Sequence, residues 1–394
     1  MSKRKKIAIF TTDLYKGGVA ESTRKLVETL SSRYEIDLIV YDNTPISFKT
    51  KHDRIINLNL PLSANFAKSR VGVLLKKIFR WPSVFLAILY LIYYRIKYKP
   101  EIIYSMTYVP NVVNICSSFF YKGSVKTIIS ERQDPRMDLK ESKLMATILK
   151  LTYKFSDRIH ANSKEMVSAI SDFYSIPKRK IYYLDNFFYL NEIKERSLDD
   201  IEENMKPIFD KKVIITSGRL SKQKGQWFLI DALHQLSSVY DDYYLVVLGD
   251  GELKDFLSER AIELGIHDKV YFLGNVSNPH KYVGASHVFL FPSLWESFGN
   301  SIVEAMALSI PIISTECKSG PGYIIGNGEY GLSIGILPDA LSGYSSSYAK
   351  KIASKIEYLR SESVYEEYST KSLIRSKDFD AVLLENKIFN LFKF

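Results

Sequence analysis

Short apolar runs alternate with longer stretches of helical spacing along this chain. Residues 7–10, 36–40, 55–58, 102–105, 127–130, 158–161 and 181–184 are brief, mostly aliphatic, and read as strands. The segments between them are long enough for helices. The pattern therefore predicts right-handed β-α-β units feeding a parallel sheet. The second half repeats the scheme. Strands are expected at 213–218, 245–248, 269–273, 287–291 and 310–314. Helices are expected over about 227–238, up to about 264, and from 299 to about 308. Residues 370–394 place Phe379, Val382, Leu383, Leu384, Ile388 and Phe389 at amphipathic spacing, which predicts a closing helix. The fold class is α/β, and no short tandem repeat or low-complexity tract interrupts it.

Length makes the two halves two domains, since 394 residues exceed what one core usually serves. A run of charge at 191–203 reads as a connector. The boundary is placed within 186–210, between an amino-terminal domain over 1–185 and a carboxy-terminal domain over 211–370, with the closing helix over 371–394. Cys116 and Cys317 are the only cysteines, so no disulfide framework is implied and a reducing cytoplasm fits. The basic start, residues 2–6, is followed by an apolar run too short for a signal core.

The net charge of +10 is unevenly divided. Residues 1–185 carry 32 Lys and Arg against 16 Asp and Glu, whereas residues 186–394 carry 22 against 28. A basic first half calls for an anionic partner. No DNA- or RNA-reading motif is present, so lipid is preferred to nucleic acid. Residues 66–99 sharpen the choice, because Lys68, Arg70, Lys76, Lys77, Arg80, Arg95, Lys97 and Lys99 flank an aromatic, apolar centre over 81–94. That centre is shorter than the ~20 residues a membrane crossing needs. It is either a buried core helix with basic ends or a helix lying in an anionic membrane interface.

Candidate chemistry gathers in loops that follow strands. After the strand ending at Phe291 come Glu296 and Glu304, eight residues apart, with Phe298, Gly299, Asn300 and Ser301 opening a helix. A helix start offers free N–H groups to anions, and carboxylates accept rows of sugar hydroxyls. Ser301 and Glu304 also read as a capping box, and Glu296 as a solvated loop charge. In Gly218-Arg-Leu-Ser-Lys-Gln-Lys-Gly225, Arg219 and Lys224 flank a strand-to-helix loop where two cations can neutralise a diphosphate, or simply face water. Gly17 and Gly18 allow close backbone approach before a helix, as an ordinary loop also would. Residues 128–135 end a strand with Ser130, Glu131 and Arg132, either sugar contacts or a salt-bridged strand end. The histidines at 52, 160, 234, 267, 280 and 287 show no metal or triad spacing, so none is given a chemical role and no metal is expected.

The Pro292-Ser-x-x-Glu-x-Phe-Gly299 context, the eight-residue glutamate spacing and the Gly218–Gly225 loop resemble retaining glycosyltransferases of the large family four, specifically over 213–332 and more loosely before it. The resemblance implies two Rossmann-like domains facing a cleft, the GT-B arrangement. It also implies a nucleotide-sugar donor on the carboxy-terminal domain and a final helix returning to the first. Glu296 would contact the donor sugar and Glu304 the ribose. Arg219 and Lys224 would hold the diphosphate, with Phe298, Gly299, Asn300 and Ser301 around it, and the backbone at Asn275 and Val276 would hold the base. Gly17 and Gly18 would face diphosphate and acceptor. Ser130, Glu131 and Arg132 would meet acceptor or donor sugar, although Gln133 stands where relatives carry Asn. Tyr323 replaces an acidic residue found in many relatives, which weakens the 319–322 loop as a sugar contact.

The implied donor is a nucleoside diphosphate sugar, UDP-linked by resemblance, used without divalent metal or other cofactor. The implied acceptor is a lipid-linked glycan of bacterial surface polysaccharide, at the cytoplasmic membrane face with peripheral attachment. The rivals are a transferase acting on a soluble acceptor and a non-catalytic nucleotide- or glycan-binding protein on the same scaffold.

Overall fold

The computed structural model describes residues 4–14, 17–42, 54–60, 70–140, 142–317, 320–338 and 346–394, with backbone alone at 70–81 and 346. The chain forms two compact units, residues 1–187 with 384–394, and residues 188–383.

The first unit is built on a seven-stranded sheet. Its strands are β1 (Lys6–Thr11), β2 (Glu35–Val40), β3 (Arg54–Asn57), β4 (Ile102–Met106), β5 (Lys126–Glu131), β6 (Arg158–Ala161) and β7 (Ile181–Tyr183), in the order β3-β2-β1-β4-β5-β6-β7. Every pairing is parallel. Strands covered on both faces have no polar side, which is why they read as continuous aliphatic runs. Ile7, Ile9, Leu38, Ile103 and Ile129 are fully buried.

The second unit carries β8 (Lys212–Ser217), β9 (Tyr243–Leu248), β10 (Val270–Gly274), β11 (Val288–Phe291), β12 (Ile312–Ser314) and β13 (Leu332–Ser333), ordered β10-β9-β8-β11-β12-β13 and also parallel. Trp227, Phe228 and Leu233 of the Trp227–Ser237 helix pack on one side of this sheet. Ile302, Val303 and Met306 of the Asn300–Ala307 helix pack on the other.

The units divide after residue 187, inside the 186–210 range. Residues 188–210, read as a charged connector, fold with the second unit. The Leu190–Ser197 helix turns its charges outward and buries Leu190 and Ile193 in the same core as Val213 and Ile302. The closing helix is broken in two, Glu362–Ser376 and Ala381–Leu391. Phe379 is fully buried at the break, and Phe188 clamps it from both sides. The Phe188 N–H donates to Phe379 O at 2.9 Å, and the Ala381 N–H donates to Phe188 O at 2.8 Å. Asp380 then restarts the helix by accepting from the Val382 N–H at 3.0 Å.

Residues 384–394 belong to the first unit. Arg158 Nη1 donates to the carbonyls of Asn390 and Leu391 at 3.0 and 2.6 Å, capping the helix end with a cation. Arg33 lies 3.7 Å from the Phe389 ring centre, and Tyr104 packs on Phe392.

Candidate active site

In open parallel sheets, ligands bind beyond the carboxyl ends of the strands, where the strand order reverses. In the second unit that point lies between β8 and β11, which are neighbours in space and far apart in sequence. Their loops therefore meet. Lys224 Nζ lies 2.5 Å from Glu296 Oε1, with side chains 21% and 13% exposed. The loops are also tied by backbone. The Leu294 N–H donates to Gln223 O at 2.8 Å, and Gln223 Nε2 donates to Trp295 O at 2.8 Å. Gly225 makes the approach possible. Its φ is +64°, and a Cβ there would meet Pro292 O at 2.4 Å.

Arg219 projects from the same β8 loop, is exposed, and pairs with Glu252 at 3.2 Å from the loop after β9. The Asn300–Ala307 helix starts after Gly299 (φ +120°), which caps it without a side-chain bond. Ser301 therefore lies inside the helix, and its Oγ points to Ser217 O at 3.4 Å, the end of β8. The capping box is not formed, because its serine is not at the cap. Glu304, half-buried, has no hydrogen bond or ion pair among the described residues. Phe298 is buried and holds its ring against Phe188 and Phe379. Asn275 and Val276 follow Gly274 (φ +65°), whose carbonyl accepts from the Gly249 N–H at 2.7 Å, setting the loops after β9 and β10 side by side. Burial, and next the Glu296 carboxylate, push the Cys317 thiol up to about 12, so it stays protonated. Of the 319–322 loop, Ser319 lies outside the described residues.

In the first unit the order reverses between β1 and β4. Gly17 (φ +110°) caps the Gly18–Leu30 helix and has open space where a Cβ would go, so conformation rather than room requires glycine there. Across from it, Thr12 and Thr107 share a 2.6 Å hydrogen bond. Thr107 holds φ +72°, a strained conformation for a β-branched residue. Sequence reasoning missed this pair, for nothing local marks it.

Residues 130–132 differ in depth. Ser130 and Glu131 are buried in the interior of the unit and face no surface. Glu131 turns back on its own loop, accepting from the Arg132 N–H at 3.0 Å and from Tyr174 OH at 3.1 Å. Only Arg132 reaches outward, to a cavity that Lys25, Asp185 and Asn186 also line. Beneath it His160, given no role from sequence, joins three strand ends. Its Nε2 lies 2.9 Å from Leu184 O, which can only accept, so Nε2 carries the proton. Nδ1 then accepts from Tyr104 OH at 2.7 Å, and Arg132 Nη2 donates to that hydroxyl at 3.2 Å. Burial, and next Arg132, push the His160 pKa down to about 3, so the ring is neutral.

Burial raises the Glu131 carboxyl from 4.5 to about 8. An acid raised by folding contributes stability that is complete below its unfolded value and is lost as pH climbs to the folded one. His160 has the opposite sign, contributing above about 6.5 and losing it as pH falls toward 3. Glu131→Gln keeps an acceptor for the Arg132 N–H and offers its amide N–H to the Tyr174 oxygen, so its melting temperature should gain on the parent's as pH rises from 5 to 8. Calorimetric scans check this, and a constant gap between the two proteins across that range would refute a buried acid.

Two parallel sheets, each flanked by helices, define a GT-B-fold protein. The Anabaena protein HepE, crystallised with UDP and glucose, has this fold. It matches at TM-score 0.76 and 19% identity over 98% of this chain and 99% of its own. Residues 199–356 match the family described as glycosyl transferases group 1. It is 28% identical over 382 residues, 96% of both chains, to a Campylobacter jejuni enzyme. That relative is named N-acetylgalactosamine-N,N'-diacetylbacillosaminyl-diphospho-undecaprenol 4-alpha-N-acetylgalactosaminyltransferase. An uncharacterized glycosyltransferase of Methanocaldococcus jannaschii is 34% identical over 62% of this chain, a match spanning 63% of that relative's length.

Proposed function

We propose that this protein is a retaining glycosyltransferase that moves a hexosyl or N-acetylhexosaminyl group from a UDP-sugar to a hydroxyl of a lipid-linked glycan. The setting is assembly of a bacterial surface polysaccharide at the inner membrane face, with the enzyme attached peripherally. The observation that carries the reading is the meeting of Lys224 with Glu296 at the β8/β11 switch point, beside Arg219 and the helix that opens at Asn300.

The reaction breaks the bond between sugar C1 and the diphosphate and forms one from C1 to the acceptor oxygen on the same face. Negative charge grows on the leaving diphosphate. The Lys224 ammonium, the Arg219 guanidinium and the helix N–H groups are placed to offset it, without a divalent metal. The acceptor proton passes to an oxygen of the departing diphosphate. Glu296 positions the sugar hydroxyls, and Glu304 accepts from the ribose. The lipid-linked acceptor draws support from the name of the Campylobacter jejuni relative, which contains diphospho-undecaprenol. Support for uridine comes from the UDP of the Anabaena structure.

The test is calorimetry with UDP, GDP and ADP in the presence of a chelator. UDP should bind most tightly and unaided by metal. Tighter GDP or ADP binding would refute the base, and an absolute need for magnesium would refute the metal-free mechanism. Donor hydrolysis that disappears in Arg219→Ala would separate an enzyme from a binding protein.

A further inference from the structure

In the first unit, the helices Arg70–Tyr98, Tyr108–Phe120 and Lys143–Thr152 join β3 to β4, β4 to β5 and β5 to β6. All three connections step the same way across the sheet. Right-handed crossovers therefore set these helices side by side on one face. The Gly18–Leu30 helix, stepping the other way from β1 to β2, lies on the opposite face. Contacts agree with this placement. Arg95 of the first helix is fully buried and donates to Ser117 Oγ and Asn114 Oδ1 of the second at 2.9 and 2.7 Å. Phe119 of the second meets Phe155, just after the third, edge to face at 5.0 Å.

The inner sides of the layer are core, with Ala87, Leu91 and Tyr94 from the first helix, Ile115 from the second and Leu149 from the third. Its outer side is apolar as well. Phe85, Leu86, Leu89, Tyr93 and Ile96 run along the first helix. Phe119 and Phe120 end the second, and Leu144, Leu151 and Phe155 mark the third. Each of these ten side chains is 47 to 74% exposed. That exceeds the scattered apolar residues an ordinary surface carries.

Charge says what covers this face. The three helices hold 52 residues with seven Lys or Arg besides the buried Arg95 and no Asp or Glu, in a chain with 44 acidic residues. On the opposite face, the Gly18–Leu30 helix carries Glu21 and Glu28. Lys97 and Lys154 lay their stems along the exposed Tyr93 and Phe155 rings, 5.1 and 5.3 Å from ammonium to ring centre. Asp157, just beyond, is occupied by Lys122 at 3.1 Å and by the Thr127 N–H. A second copy of this face would bring like charges together. No helix among the described residues is long and apolar enough to cross a membrane.

We propose that this three-helix face docks onto an anionic lipid bilayer, with its aromatic and aliphatic side chains in the interface and its lysines on phosphate headgroups. The inference deepens the lipid-linked acceptor reading and rests on it. It extends the contact beyond the 66–99 stretch to Phe119, Phe120, Leu151 and Phe155.

The test is sedimentation of the full chain with phosphatidylglycerol/phosphatidylethanolamine vesicles and with phosphatidylcholine vesicles, at low and high salt. Binding should favour the anionic vesicles about tenfold or more and fall with salt. Phe119→Ser/Phe120→Ser, outside the first helix, should lose about tenfold or more in partition, as should Leu86→Ser/Leu89→Ser. Parent-like binding by the Phe119/Phe120 variant would overturn the three-helix face. Equal binding to neutral vesicles would overturn the choice of lipid. Self-association of the parent that both variants lose, without vesicle binding, would assign the face to a second copy instead. UDP calorimetry on the same preparations separates these failures from failure of the donor reading.

Discussion

Lys224→Ala should lower kcat/KM for donor turnover by about 10²–10³, the usual loss when a group aimed at developing charge is removed. The substitution acts twice. It deletes a cation held for the leaving diphosphate, and it strands the Glu296 carboxylate, which is only 13% exposed and has Lys224 at 2.5 Å. A carboxylate left without its cation then repels the same diphosphate. Glu296→Gln separates the two effects. It frees Lys224 from its carboxylate while leaving an acceptor for the sugar, so UDP should bind at least as tightly as to the parent while turnover falls. The measurements are steady-state kinetics, UDP calorimetry and melting temperature for each variant. A Lys224→Ala protein within threefold of the parent would remove Lys224 from the site. The fold should survive, since the β8 and β11 loops stay joined through Gln223 with Leu294 and Trp295.

Glu304→Gln should weaken UDP binding roughly ten- to a hundredfold and leave the melting temperature unchanged. A hydrogen bond to an ionised partner is worth about 1.5–3 kcal/mol, which sets that range. The structure gives Glu304 no structural task to lose. The helix is capped by Gly299, and Ser301 faces Ser217, so no capping box depends on the glutamate. Paired calorimetry and melting curves check this. A variant that binds UDP like the parent would take Glu304 out of the site.

The parallel strands were legible because most are short apolar runs, and twelve of the thirteen fall where the sequence shows such a run. The exception, β13, is two residues long and carries no pattern of its own. Where residues 188–210 pack was not legible, because charge dominates their composition, while two residues, Leu190 and Ile193, join them to the second core. The loops of the candidate site were legible as loops. Their pairing was not, for Lys224 and Glu296 are 72 residues apart and are joined only by the adjacency of β8 and β11. The depth of Ser130 and Glu131 was hidden for a related reason. A polar run at a strand end reads as surface, but here the carboxylate satisfies backbone N–H groups of its own turn from inside the fold. His160 gave no signal, because Tyr104, Ser130 and Leu184, its neighbours, come from three other strand ends.

The return of residues 384–394 to the first unit fixes an order of events in biosynthesis. Domains usually fold as they leave the ribosome, the amino-terminal one first. This first unit has its sheet complete early, but Arg33, Tyr104 and Arg158 wait for Phe389, the 390–391 carbonyls and Phe392, which are made only after the second unit. Until then, the aromatic and cationic groups on that side of the sheet have no cover. The second unit is synthesised entirely in the interval. A chain stopped after residue 383 therefore yields a whole second unit beside an unfinished first, and quality control would meet the damage in the unit that was made first.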